Sequence, residues 1–464
     1  MKKLVLMAFV MLLGLAVVGC DTATTTTTSA TTSTTSATTT TTTTTKAPIL
    51  VQGVTATTIK IGNTATTSGP FAAVGVPFNT AINAVIAEVN AAGGIGGRTI
   101  QLVTYDDTFN AATGKTLTEK LIEEDKVFAL VGHFGTPTVG ATVDIIQEVG
   151  IPMVYAATGI NALYFQESLG NPVMAVQPIY ATDGRIMAAR AVKEAVYGAT
   201  KDQALPAGAK IGVIYTNDDV GQSIKAGIEI EAAQLNKTND FLYQAVTTSY
   251  NTAVTVLKAS GVSAIILAMN QEPFGYALTA MSQLSLNVPV FSSYVNADIT
   301  VVDHYRYHVD RPIYVNAWID ISDPAGFYGL SAEYWAFVTT MTNAGYDGKT
   351  VGKANYTGNA YAIAGYIAIN VFLEGLRRVV EDEVELNWAN YIAAMESEPV
   401  DIPMGGVVDF GGGKRWGIAA MSMLKYEYTL GDNPATTDVV EVDFLTERFV
   451  KVREIETIQT IEAK

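Results

Sequence analysis

A single cysteine, Cys20, occurs in 464 residues. Everything after it is free of thiols, so the folded body has no disulfides and its stability rests on core packing. Histidine is nearly as scarce: three residues, two of them at helical i, i+4 spacing in His304-Tyr305-Arg306-Tyr307-His308. A zinc site with that spacing needs a Glu after the first His or a third ligand, and none is evident, so surface histidines and no bound metal are the expectation. Charged residues make up only 16%, and Lys plus Arg number 29 against 45 Asp plus Glu, for a net charge of -16. That balance, without a basic stripe, excludes a nucleic-acid partner, whose phosphates demand a positive surface. Closely spaced glycines of the G-x-G-x-x-G kind are missing from the turn after the first strand, Gly62 to Gly69, and no Walker A or G-x-S-x-G elbow occurs anywhere. An α/β enzyme is therefore a minor alternative, and no cofactor is expected. After Cys20 no apolar run approaches the roughly 20 residues of a membrane span. This disfavours a ligand sensor built around a membrane-crossing helix.

Apolar residues, by contrast, are plentiful at 48%, enough for a body of two lobes, each with its own core. Met1-Lys2-Lys3 and the apolar run Leu4 to Val18 read as an export signal over residues 1–19. Val17-Val18-Gly19-Cys20 is similar to a bacterial lipobox, which makes Cys20 the expected lipid anchor. Thr22 to Thr45 is almost wholly Thr, Ser and Ala, a composition that cannot offset its own ordering entropy; residues 20–50 are expected to be a disordered tether. An extracytoplasmic body held at the cell membrane follows.

The body alternates strand and helix patterns, which implies a mainly parallel sheet covered on both faces. Phe128 to Val131 is a short apolar strand ending at Gly132, and Val139, Val143, Ile146 and Val149 recur at helical spacing. Thr136 before Pro137 predicts a helix start there, with unpaired N–H groups facing the loop. Pro152 to Tyr155 is the next strand, followed by the small-residue turn Ala156-Ala157-Thr158-Gly159. A carboxylate between these two loops could take bonds from the Thr136 and Thr158 hydroxyls and from backbone N–H groups, unless the small residues merely make tight turns.

Several short motifs, weak singly, occur in an order and spacing that identify a family. They are Ser68-Gly69-Pro70, Asn90 to Arg98 (NAAGGIGGR), Asp106-Asp107, Val131-Gly132-His133, Gly150-Ile151-Pro152, Gln177-Pro178, Asp183-Gly184-Arg185 and Ile214 to Gly221. From Ile59 to about Tyr428 the chain resembles the extracytoplasmic solute-binding proteins of ABC transporters, specifically the leucine/isoleucine/valine-binding family. The resemblance implies two Rossmann-like α/β lobes joined by three crossing segments, placed near Val176 to Tyr180, Ser292 to Asn296 and Met404 to Asp409. On that reading lobe 1 is 51–177 plus 296–405, and lobe 2 is 178–295 plus 406–464. It implies a monomer that traps a small carboxylate or amino-acid ligand by lobe closure and passes it to a membrane permease and its ATPase.

The family's carboxylate contacts fall on the loop at Thr136 and on Ala157, Thr158 and Gly159, with Gly135 and Ala156 beside them as further candidate binding residues. The family's acidic residue for the ligand ammonium is expected near Glu272, although Pro273 stands on its position. Two often-aromatic positions are here Val74 and Val220, and Phe71, Phe134, Tyr155, Tyr180 and Tyr294 are the candidate walls for the ligand's body.

Overall fold

The computed structural model describes residues 51–164, 166–298, 311–321, 330–431 and 444–464. The expected export signal, Cys20, the tether and the His304–His308 pair lie outside the described residues. In chain order the first elements are β1 (Thr58–Ala65), α1 (Ala72–Ala91), β2 (Thr99–Asp106), α2 (Ala111–Glu123), β3 (Ala129–Val131), α3 (Thr136–Val149), β4 (Met153–Val154) and β5 (Val173–Met174). There follow α4 (Tyr180–Lys193), β6 (Ile211–Thr216), α5 (Asp219–Gln234), β7 (Phe241–Val246), α6 (Tyr250–Ala259), β8 (Ala264–Ala268), α7 (Gln271–Gln283), β9 (Val290–Ser292) and β10 (Ile313–Ala317). The chain ends with α8 (Ala332–Asn343), α9 (Ala360–Glu381), α10 (Trp388–Ser397), β11 (Val400–Ile402), β12 (Gly406–Val408), β13 (Ala420–Gly431), β14 (Phe444–Thr457) and α11 (Ile458–Glu462).

Among the described residues the strands form two large sheets. The first is five-stranded in the order β2-β1-β3-β4-β5, every pair parallel. The second is seven-stranded, β14-β13-β10-β9-β8-β6-β7, parallel from β7 to β10 and antiparallel beyond it. Central strands such as β3 (Ala-Leu-Val) and β8 (Ala-Ile-Ile-Leu-Ala) are buried at every position, as parallel strands covered on both faces must be.

Among the described residues one helix, α1, is long and apolar enough to cross a membrane, and half of that stretch is buried inside the protein. It packs against α9 so closely that a Cβ at Gly365 would lie 2.1 Å from the Phe78 carbonyl oxygen. Only glycine allows that approach.

The sheets correct two sequence expectations. β10 lies in the second sheet, paired in parallel with β9, so the second lobe extends past the expected boundary at 296. The physical reason is register: Ile313–Ala317 is fully buried and its apolar run completes that sheet. Met404 to Asp409 does not cross between lobes; β11 and β12 pair there as a hairpin. The returning segment lies further on, where Trp416 bridges to Ala175 and the Ile418 N–H donates to the Val176 carbonyl at 2.9 Å. The helix start expected at Thr136 is found there: α3 opens at Thr136, with Gly135, at φ 98, in the capping position, where a left-handed backbone favours glycine.

Candidate functional site

The parallel strands of the two sheets present the ends of β1, β3 and β4 on one side and of β8, β9 and β10 on the other, where βα loops gather. Between them is a cavity with about 100 Å³ open to the centre of a water molecule. From the first lobe it is lined by Phe71, Val74, Phe134, Gly135, Thr136, Tyr155 and Ala157, and from the linking and second-lobe segments by Tyr180 and Tyr294. The small-residue loops of β3 and β4 are held together: Phe134 bridges to Ala157, and the Ala157 N–H donates to the His133 carbonyl at 2.8 Å.

Behind the loop, His133 is fully buried. Its Nδ1 accepts the Thr64 N–H at 3.4 Å, and its Nε2 faces the Thr118 hydroxyl at 3.2 Å. Burial pushes this imidazole down to about 4 against the opposing charge of Asp107, so it is neutral at physiological pH.

The two threonines sit differently from the sequence expectation. Their hydroxyls are bonded to each other at 2.7 Å, and Thr158 Oγ1 also accepts the Ile160 N–H at 3.1 Å. Thr136 lines the cavity, whereas Thr158 stands behind it. A hydroxyl carries one proton. The orientation in which Thr158 donates leaves the Thr136 proton for an acceptor in the cavity. Thr136 also opens α3, whose first turn carries no acidic residue, so the positive end of the helix dipole adds to the attraction for an anion.

Gly159 lies under Tyr180 and Tyr294; a Cβ there would meet the Tyr180 ring and the Tyr294 hydroxyl, both at 2.7 Å. Tyr294 donates to the Pro178 carbonyl at 2.8 Å and accepts the Gln177 amide at 3.0 Å. Burial raises the Tyr180 phenol, while the Thr136 and Thr158 hydroxyls and the Gly159 backbone work against it. Its hydroxyl therefore faces the same corner.

Three expected residues lie elsewhere. Ala156 points into the core cluster on the opposite side of the first sheet, with Val139 and Val143. Val220 is buried on α5 among second-lobe core residues. Glu272 is exposed in the first turn of α7 and accepts the Tyr276 hydroxyl at 2.7 Å. Its neighbours Asn270 and Gln271 line the cavity instead, because Glu272, one residue further round the helix, projects away from it.

Several lining residues were missed by the sequence reading, notably Phe109, Trp318, Tyr361 and Asp298. Asp298 is buried, and its Oδ2 accepts the Ala360 N–H at the start of α9 at 2.5 Å. Gln271 reaches the Tyr361 hydroxyl at 3.3 Å, and Asn161 of the first lobe donates to the Ser223 carbonyl of the second at 3.1 Å. The lobes thus touch across the cleft. No sequence signal marks Tyr361 or Trp318, which arrive from α9 and the end of β10.

Comparison with known proteins identifies the family of this chain. A family model described as periplasmic binding protein matches residues 58–430. The chain belongs to this family. Among curated relatives, an amino acid binding protein from Pseudomonas aeruginosa is 24% identical over 262 residues, 55% of this chain and 65% of its own length. The Leu/Ile/Val-binding protein of Escherichia coli is 30% identical over 102 residues, 22% of this chain and 28% of its own. The aligned part of this periplasmic binding protein thus spans less than two thirds of the length of either relative.

Solved structures share the fold over most of the chain. A branched chain amino acid ABC transporter protein from Thermus thermophilus with bound valine has a TM-score of 0.67 at 15% identity, covering 89% of this chain and 99% of its own. A fatty acid ABC transporter substrate-binding protein from Thermomonospora curvata has 0.66 at 17%, covering 90% and 97%. A solute binding protein from R. palustris in complex with benzoate has 0.62 at 17%, covering 87% and 99%.

Proposed function

We propose that this periplasmic binding protein is the extracytoplasmic solute-binding component of an ABC importer, and that its ligand is a small carboxylate with an apolar body. The observation that carries the reading is the cavity's polarity. One corner offers the Thr136 hydroxyl at the N-terminus of α3, and most of the remaining wall is aromatic or aliphatic. The carboxylate docks at Thr136 with Ala157 and Gly135 beside it, Thr158 orients the Thr136 hydroxyl, and the second lobe closes over the body through Tyr294, Val295 and Gln271. Because ligand must contact both lobes to shift the closure equilibrium, only the occupied protein presents the closed surface to the permease. Names of relatives support the class: they bind Leu/Ile/Val, valine or benzoate, each of which bears a carboxylate. Lipidation at Cys20 and the tether complete the reading, holding the body at the membrane while letting it move.

A thermal-shift screen of aliphatic amino acids, their 2-keto analogues, aromatic acids, amides and sugars tests it. Bound ligand stabilises by mass action, about 2.7 kcal/mol at a hundredfold excess over Kd. Carboxylates are expected to raise Tm. A rise with sugars alone overturns the carboxylate site, and equal shifts for leucine and its keto analogue show that the ammonium goes unread.

A further inference from the structure

The loop after β2 carries two adjacent left-handed residues that are not glycine, Thr108 at φ 53 and Phe109 at φ 58. L-residues enter that region at a cost, and such strain persists where the surroundings over-determine it, characteristically at ligand sites. Here the surroundings are two adjacent aspartates. Asp106 Oδ1 accepts the Thr108 N–H at 3.0 Å and the Thr67 N–H at 3.1 Å. Asp107, fully buried, accepts the Phe109 N–H at 3.0 Å and the Thr66 hydroxyl at 2.9 Å on one oxygen. On its other oxygen it accepts the Thr64 hydroxyl at 3.0 Å and the Thr138 hydroxyl at 2.6 Å. One carboxylate therefore ties the strained turn to the end of β1 and to the first turn of α3, the helix whose N-terminus forms the polar corner.

What the turn presents is a ring. Phe109 lies over Gly135, where an added Cβ would be 3.3 Å from two of its ring carbons, and it stacks on Phe71 with centroids 4.0 Å apart at 23°. Both rings line the cavity and both are only half-buried, unlike the core aromatics Phe78 and Tyr155 beyond them.

We propose that the Phe71–Phe109 stack is the specificity-determining wall of the site and that the ligand is a carboxylate bearing a planar aromatic ring. The inference rests on the carboxylate reading above and deepens it. A ligand held at Thr136 has Gly135, and therefore the Phe109 ring, as its immediate apolar neighbour. Ring-on-ring contact gives more than area burial alone, worth about a twofold to tenfold gain in affinity over a saturated ring of similar size.

The test uses two matched pairs, benzoate with cyclohexanecarboxylate and 3-phenylpropanoate with 3-cyclohexylpropanoate. Their affinities are measured by calorimetry on the wild type and on Phe109→Leu, which keeps an apolar side chain and removes the π face. The unliganded Tm of the variant reports its folding, and Phe71→Leu supplies a second variant should the first lose structure. Expected is a preference of about twofold to tenfold for the aromatic member of a pair, lost in the variant, where the two members of the pair bind equally. Equal affinities in the wild type, or a preference that survives both substitutions, overturns the proposal. So does binding of aliphatic carboxylates with neither pair bound, which leaves the carboxylate reading standing. If no carboxylate of any kind binds, that reading fails and this one with it.

Discussion

Replacing Thr136 and Thr158 with valine, singly and together, separates the group that holds a carboxylate from the group that aims it. Valine matches threonine in shape and removes only the hydroxyl. Thr136→Val deletes a charge-assisted bond of about 1.5 to 3 kcal/mol, so affinity should fall about tenfold to 150-fold. Thr158 lies behind Thr136, its hydroxyl donating to the Thr136 oxygen at 2.7 Å while its own oxygen accepts the Ile160 N–H at 3.1 Å. Thr158→Val therefore leaves a buried backbone N–H without its acceptor, which should cost the fold about 1 to 3 kcal/mol. Its effect on affinity is indirect, through loss of one neutral hydrogen bond that orients Thr136, about 0.5 to 1.5 kcal/mol.

The double variant discriminates. If Thr158 acts only through Thr136, Thr158→Val changes nothing further in the Thr136→Val background. Calorimetric titration of all four proteins with the carboxylate that gives the largest thermal shift, together with urea unfolding of each, reads both quantities. Unchanged affinity in Thr136→Val refutes the anion corner, and additive affinity losses refute the indirect role of Thr158.

Two further predictions concern the frame. Glu231, buried beneath the C-terminal helix, is pushed up from 4.5 to about 7 by burial and by the Glu462 carboxyl beside it, against the Arg185 guanidinium at 2.9 Å. A carboxyl whose folded pKa is raised contributes stability below its unfolded value and loses it as pH rises through the folded one. Glu231→Gln should therefore gain stability relative to the wild type between about pH 5 and pH 8 in parallel urea titrations, and a constant difference across that range would refute the assignment. Arg415 is fully buried, donates to the Asn171 carbonyl at 3.0 and 2.9 Å and pairs with Glu396. Arg415→Ala strands that carboxylate and should cost about 3 to 5 kcal/mol in urea unfolding, while replacing both partners with methionine should cost much less; a loss below about 1 kcal/mol would show the pair to be dispensable.

Parts of the site differed in how well they could be read. The loops at Phe134 to Thr136 and Ala156 to Gly159 were visible because a short apolar run stopping at small residues is a local pattern, set by strand burial and turn sterics. Glu272 was expected at the cavity because the family resemblance places an acid near it, but the phase of α7 against the cavity depends on how that helix packs. Phe109 was not legible, because Asp106 and Asp107 accept backbone N–H groups within a turn, and which side chain that turn lifts into the cavity depends on its packing against β1 and α3. Val220 failed for a different reason, since burial in the second-lobe core and exposure to the cleft look alike in a single apolar residue.

The sequence by itself determined the alternation of buried strands and helices, the absence of disulfides in the body and the order of family motifs, because periodicity and composition are properties of neighbouring residues. Which lobe owns Ile313–Ala317, where the chain returns beside Ala175, and which threonine meets the cavity were decided only by tertiary structure. Those outcomes depend on pairings between segments as far apart as Val176 and Ile418, joined by one backbone hydrogen bond of 2.9 Å. No local pattern encodes such a contact; it is settled by the free energy of closing both sheets around one core.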